Sequence, residues 1–236
     1  MAQDSAGAFH VGLTARRVVD AALELTEESH LLGWSVRDLA KRLGVAPSVV
    51  YHHVGGRDLL ARHVVERVLA DLAPPPADLE WREWFRTLLL SIRPLVTRCP
   101  GVAKWLLMHG PAFPAIIPVI DAGVAALQRA GFGERTGVAY AALLNNALLT
   151  ITVGDDRVLH EVDGPRDHAT MMSEFQAAGA SSPGVAVLTG SLMRPFAEGG
   201  PDADRRREAY YRFVVENTIA GLTVQLAPDV AAARPT

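Results

Sequence analysis

Cysteine is almost missing from this chain of 236 residues: Cys99 stands alone, which excludes a disulfide framework and any cluster of thiolate ligands. Aromatic residues make up only 6% of the sequence, and no stretch reads as a convincing strand. A surplus of positive charge is lacking too. The formal net charge is −3, which excludes a broadly basic nucleic-acid coat and confines any contact with nucleic acid to a local patch. Residues 1–13 have no basic stretch leading into an apolar one, and read as a flexible tail rather than a signal peptide. The run from Thr136 to Gly154 carries no charge over 19 residues, close to spanning length. Asn145 and Asn146 lie side by side at its middle, however, and adjacent carboxamides are costly at a bilayer centre. The expectation is a soluble, cytoplasmic chain with no membrane partner.

What is present points to an all-α fold. Hydrophobic residues make up 49% of the chain and recur at helical rather than strand spacing. Thr14 caps a run with Val18, Ala22 and Leu25 on one face. Ser35 caps a second with Val36, Leu39, Ala40 and Leu43, stopped by Gly44. Pro47 opens a short third helix with Val50 and Val54 inward, ended by Gly55 and Gly56. A fourth helix runs from Arg57 to about Leu72. Pro74, Pro75 and Pro76 then mark a seam between a small N-terminal domain, residues 14–73, and a larger one, residues 74–227. Helices are expected there at 81–98, 102–109, 115–130, 134–154 and 204–226. Residues 155–201, richer in Gly and Pro, read as a lid or insertion with short helical patches at 169–178 and 185–193, and residues 228–236 as a flexible tail.

Three short helices with a glycine turn between the second and third form a helix-turn-helix unit. Ala40 is small where two helices cross, Gly44 makes the turn, and Val50 plugs the crevice. With Val50 and Val54 inward, Ser48 and His52 face out, flanked by Pro47, Val49, Tyr51 and His53. Between Ser35 and Arg57 stand four basic residues, Arg37, Lys41, Arg42 and Arg57, against the single acid Asp38. On an acidic chain such clustering is the footprint of a specific DNA binder.

The stretch from Ser35 through the Leu43-Gly44-Val45 turn and Tyr51-His52-His53-Val54 to Leu60 resembles the tetracycline-repressor (TetR) family of transcription regulators. A weaker similarity continues through Glu80 to Trp84 and Leu127 to Phe132. The resemblance implies a homodimer that binds a palindromic double-stranded DNA operator and is released by a small-molecule effector. Carried over residue by residue, it implies that Arg37 reaches a base edge or phosphate and that Pro47, Ser48 and Val49 face bases. Tyr51, His53 and Arg57 would hold phosphates, with Thr14 and Ser35 completing the DNA-binding set. His52 departs from the pattern, since related repressors often carry an aromatic there.

The C-terminal half supplies a candidate effector pocket of Trp84, Trp105, Met108, His109, Phe113 and Phe175, with Asn145, Asn146 and Thr150 as isolated polar groups needing partners. Magnesium-assisted recognition of the tetracycline kind is not expected, because the helix after the seam offers mainly Leu88, Leu89, Leu90 and Ile92. The effector should be largely apolar or aromatic, with no cofactor. His109, His160 and His168 lack metal-site spacing, so no metal is expected. Tyr210, Phe213, Asn217, Gly221 and Val224 form a stripe on the last helix that could pair with Ala141 and Leu148 in a four-helix dimer core. Two other readings stay open here. One is a helical enzyme that binds a small molecule, although no phosphate loop, nucleophile elbow or His/Cys cluster is present. The other is a dimeric adaptor without DNA affinity.

Overall fold

The computed structural model describes residues 13–159, 168–190 and 200–226. Among them every regular element is helical: α1 (Ala15–Glu28), α2 (Val36–Leu43), α3 (Pro47–Val54), α4 (Arg57–Leu69), α5 (Trp81–Thr97), α6 (Val102–His109), α7 (Ile117–Arg129), α8 (Thr136–Leu159), α9 (His168–Gly179), α10 (Pro183–Leu188) and α11 (Gly200–Leu226). One 3-10 turn, Gly133–Arg135, leads into α8.

Helix ends follow local chemistry. The Thr14 hydroxyl accepts from Arg17 N–H and caps α1. Ser35 and Asp38 form a reciprocal capping box at the start of α2, two orphan amides being satisfied at once. At its other end Gly44 takes a left-handed conformation (φ 67°), while the Val45 amide closes on the Ala40 carbonyl at 3.0 Å. Several ends differ from the sequence expectation, among them those of α4, α8 and α11. α4 stops at Leu69 rather than Leu72, its last turn wound down by tight bonds from Ala70 to Arg67 and from Leu72 to Leu69 ahead of the prolines. α8 runs on to Leu159, since a lone Gly154 costs a helix only about 1 kcal/mol. α11 begins at Gly200, where Pro201 fits a first turn.

The described residues group into two compact units. The first comprises residues 13–73 with Ser91–Ile120, so it is larger than the stretch before the prolines; it contains α1 to α4, the second half of α5, and α6. Val18, Ala22, Leu39, Val50 and Val64 form the centre of its core, joined by Val96, Cys99 and Val102. One buried polar chain runs through it. The Trp34 indole N–H donates to Thr26 Oγ1 at 3.0 Å, and that hydroxyl donates to the Ala22 carbonyl at 2.8 Å, so these two side chains are both satisfied.

The second unit comprises Pro74–Leu90 and residues 121–226 as described. α8 and α11 pack on one another along their length. Leu143, Ala147, Leu148 and Ile151 of α8 and Tyr211, Val215, Ile219 and Leu222 of α11 are buried. Tyr211 Oη donates to the Leu89 carbonyl of α5 at 2.6 Å, and Arg86 of α5 pairs with Glu216 of α11 at 2.6 Å. α9 and α10 pack against each other. They occupy part of the stretch expected to be a lid; residues 160–167 and 191–199 of that stretch, and both tails apart from Leu13, lie outside the described residues. By length and composition alone, Gly133–Asp155 qualifies as a membrane span, with a mean hydropathy of 1.4 and 33% of its apolar window buried in the fold.

Candidate nucleic-acid interface

The first unit presents α3 with the geometry that its sequence implies. Val50 and Val54 are buried, Pro47, Ser48, Tyr51 and His52 are exposed, and Val49 and His53 are half-buried at the edges. The His52 and His53 rings meet edge to face, 5.7 Å apart. Nothing long enough for bidentate hydrogen bonding to a base stands on α3, so direct readout from this helix is limited to short polar and apolar contacts.

Charge around α3 is sorted by helix packing. Arg37 at the start of α2 is exposed, and like Lys41 it forms no ion pair or hydrogen bond among the described residues. Arg42 is turned the other way. Its guanidinium grips Glu28 of α1 with both terminal nitrogens and lies 3.7 Å from Glu24. Hydrogen bonding to Arg42 holds the Glu28 carboxyl below its ordinary range. Arg42 therefore leaves the basic footprint, a correction to the count of four. Lys41, one of the four counted in the sequence, stays exposed beside Arg37.

Arg57 is half-buried and engaged within the fold. Its Nη2 donates to the Leu31 carbonyl at 2.8 Å, and the guanidinium carbon lies 4.0 Å above the Trp34 ring. Burial lowers its pKa. Ser35 caps α2 as the sequence implies: its exposed hydroxyl is engaged with Asp38, accepting from the amide and donating to the carboxylate. The same contacts hold the Asp38 carboxyl below its usual range. Thr14 is likewise placed as a cap.

The nine candidate effector contacts fall in both units. In the first, Trp105 stacks on His109, with ring centroids 4.5 Å apart, and on Phe113 at 5.7 Å; Arg62 of α4 lies over the other ring of that ladder, Phe113. His109 Nδ1 donates to the Trp105 carbonyl at 3.0 Å, and Met108 is exposed. In the second unit Trp84 proves to be core: it is fully buried, and its indole N–H donates to the Pro75 carbonyl at 3.2 Å. Asn145 and Asn146 are exposed, against the expectation of buried carboxamides, flanking the buried row of α8; Asn146 donates to Thr218 Oγ1 of α11 at 3.2 Å. Thr150 donates its hydroxyl to the Ala147 carbonyl, and Phe175 is exposed on α9. Among the described residues no group of His, Cys, Asp or Glu could hold a metal; His160 lies outside them.

The expected dimer stripe is exposed along α11, with Tyr210, Phe213, Asn217, Gly221 and Val224 all open. Ala141 is exposed beside it on α8, whereas Leu148 is buried in the unit's own core and is a correction. The exposed apolar row of α8 runs instead through Val138, Leu149 and Val153.

A helix-turn-helix with unpaired cations beside an exposed third helix, carried on an all-α chain, defines a DNA-binding regulator of the helix-turn-helix class. No family model matches the sequence. Over 197 residues the chain is 30% identical to tetracycline repressor protein class A from transposon 1721 of Escherichia coli, a match spanning 81% of this chain and 84% of that protein. The fold is shared with ActR of Streptomyces coelicolor in complex with actinorhodin (TM-score 0.62, 22% identity, covering 89% of this chain and 97% of that one). It is shared too with a tetracycline repressor variant from Acinetobacter baumannii in complex with minocycline (TM-score 0.65, 20% identity, covering 94% and 100%). The chain belongs to the tetracycline-repressor family of transcriptional regulators, a family of DNA-binding proteins and not of enzymes.

Proposed function

We propose that this protein is a cytoplasmic, ligand-responsive repressor that binds a palindromic double-stranded DNA operator as a homodimer and is released by a small, largely apolar or aromatic effector. The observation that carries the reading is the pairing of an exposed α3 with the unpaired cations Arg37 and Lys41 on α2, while Arg42 is ion-paired with Glu28 and Arg57 is bonded to the Leu31 carbonyl. Cations left free beside a reading helix are positioned for phosphates and guanine edges.

Dimerisation follows from the exposed apolar rows of α8 and α11. Val138, Leu149 and Val153 on α8 and Phe213 and Val224 on α11 are exposed large apolar side chains on two packed helices, a feature that marks an interface. Two copies meeting on it form a four-helix core and set two reading heads for two half-sites. The effector reading draws support from the Trp105–His109–Phe113 ladder, and from ligand-bound relatives that hold actinorhodin and minocycline. Release is then a population shift: effector binding favours a placement of α4, and with it the heads, that no longer fits both half-sites.

Selection of duplexes from a random pool by the purified protein tests this. The expected winner is palindromic, and its affinity falls steeply with salt. A pool that stays unenriched after any carried-over effector has been stripped would falsify the reading.

A further inference from the structure

We propose that Arg57 is a positioning residue rather than a phosphate contact: it fastens the first turn of α4 to the α1–α2 connection, which is itself docked on the α5–α6 turn. The inference rests on the DNA-binding reading above and adds to it how the reading helices are held. Two of the three guanidinium nitrogens face inward. Nη2 is spent on the Leu31 carbonyl, and Nη1 is buried with no acceptor, while the plane lies on Trp34. A phosphate could engage these nitrogens only after the side chain had unstacked, which removes the contact a clamp was meant to add.

The other side of the connection is gripped just as closely. The Leu31 amide donates to the Pro100 carbonyl at 2.7 Å, and the buried His30 ring lies against Gly101. Arg98 at the end of α5 pairs with Glu27 of α1 at 2.9 Å. Trp34 is anchored from below by Thr26. The next residue is Ser35, the cap of α2, and Arg37 lies in the first turn beyond it. Slack in the connection therefore passes within three residues to the cation beside the reading helix. Lysine cannot take over the task, because a single ammonium cannot lie flat on an indole and reach a carbonyl beside it at once.

The test compares the full-length wild type with R57A and R57K on the selected operator across a salt series, with amide exchange followed at residues 31–33. Those amides are hydrogen-bonded, to Pro100, to His30 Nδ1 and to the His30 carbonyl, so their protection reports the connection directly. A brace predicts that both variants lose about tenfold or more in affinity with the salt slope unchanged, and that exchange quickens at 31–33 ahead of the remainder of α1 to α4. A clamp predicts that R57K binds as the wild type does while R57A lowers the slope by about one, and that outcome overturns the proposal. Wild-type affinity in both variants overturns it as well, as does faster exchange spread evenly over the head. Should the wild type enrich no duplex, the DNA-binding reading is what fails. Exchange in R57K then decides the brace alone, unchanged protection at 31–33 overturning it.

Discussion

On α2 and α3 the exposed surface is charge and short polar groups, whereas on α8 and α11 it is hydrocarbon. On the first unit, pairing with Glu28 of α1 engages Arg42 and packing against Trp34 withdraws Arg57, leaving Arg37 and Lys41 exposed and unpaired. In the α8–α11 pair the withdrawn groups are apolar, Leu148 and Tyr211 among them, and a second apolar row remains open on the far side. One surface suits a polyanion whose contacts are made through salt-sensitive pairs. The other suits a partner that excludes water. The difference teaches that exposure alone identifies neither surface; what matters is which chemistry the fold has declined to satisfy internally.

The comparison breaks most visibly at the apolar row. Phe213→Glu combined with Val224→Glu is expected to weaken self-association about a hundredfold by placing charge in a dry interface, read by sedimentation equilibrium. An unchanged association state would show that the row has some other use. Next in size, Arg37→Ala should cost about 1–3 kcal/mol of operator affinity and relax selectivity at one base pair, measured by titration against single-position operator variants. Thr26→Val keeps the shape of a side chain but strands the Trp34 N–H, and should lower unfolding free energy by about 1–3 kcal/mol in urea denaturation. Lys41→Ala is expected to reduce the salt slope of operator binding by about one, while Arg42→Ala leaves it unaltered; equal slopes would contradict the sorting of charge.

The smallest effect is alkaline. Burial pushes the Tyr140 hydroxyl up to about 12, from an ordinary value of 10.0. Above pH 10 the unfolded chain loses this proton while the folded one retains it, so stability falls as pH rises toward 12. Tyr140→Phe should remove about 1–2 kcal/mol of that decline, seen as a shallower loss of stability between pH 10 and 12 than in the wild type.

The head was legible because its determinants are short-range. Ser35 as a cap, Gly44 as a left-handed stop, Pro47 at a first turn, and Val50 and Val54 at one helical period each act within a few residues. Arg42 and Arg57 could not be sorted from Arg37 and Lys41 in that way. Glu28 lies 14 residues from Arg42 and Leu31 lies 26 from Arg57, so the pairings exist only once α1, α2 and α4 have packed. Asn145 and Asn146 misled for a related reason. An uncharged run suggested burial all round, whereas α8 buries only part of its surface and both asparagines flank that part, Asn146 bonding to Thr218 of α11. Trp84 looked like a pocket residue because an aromatic beside a linker has no spacing that separates core from cavity; its bond to the Pro75 carbonyl decides for core.

Gly101 has a consequence for which replacements the gene can carry. Its backbone is left-handed at φ 89°, and a Cβ placed there would come within 2.4 Å of the His30 ring. Gly44 is left-handed too, yet a Cβ there would meet nothing within 4 Å. Under random mutagenesis with selection for repression, Gly44 should therefore admit asparagine, which visits that backbone region readily, while Gly101 returns as glycine alone. The two turns have the same backbone hand but not the same freedom to vary, and the one that touches the α1–α2 connection is the one that cannot drift.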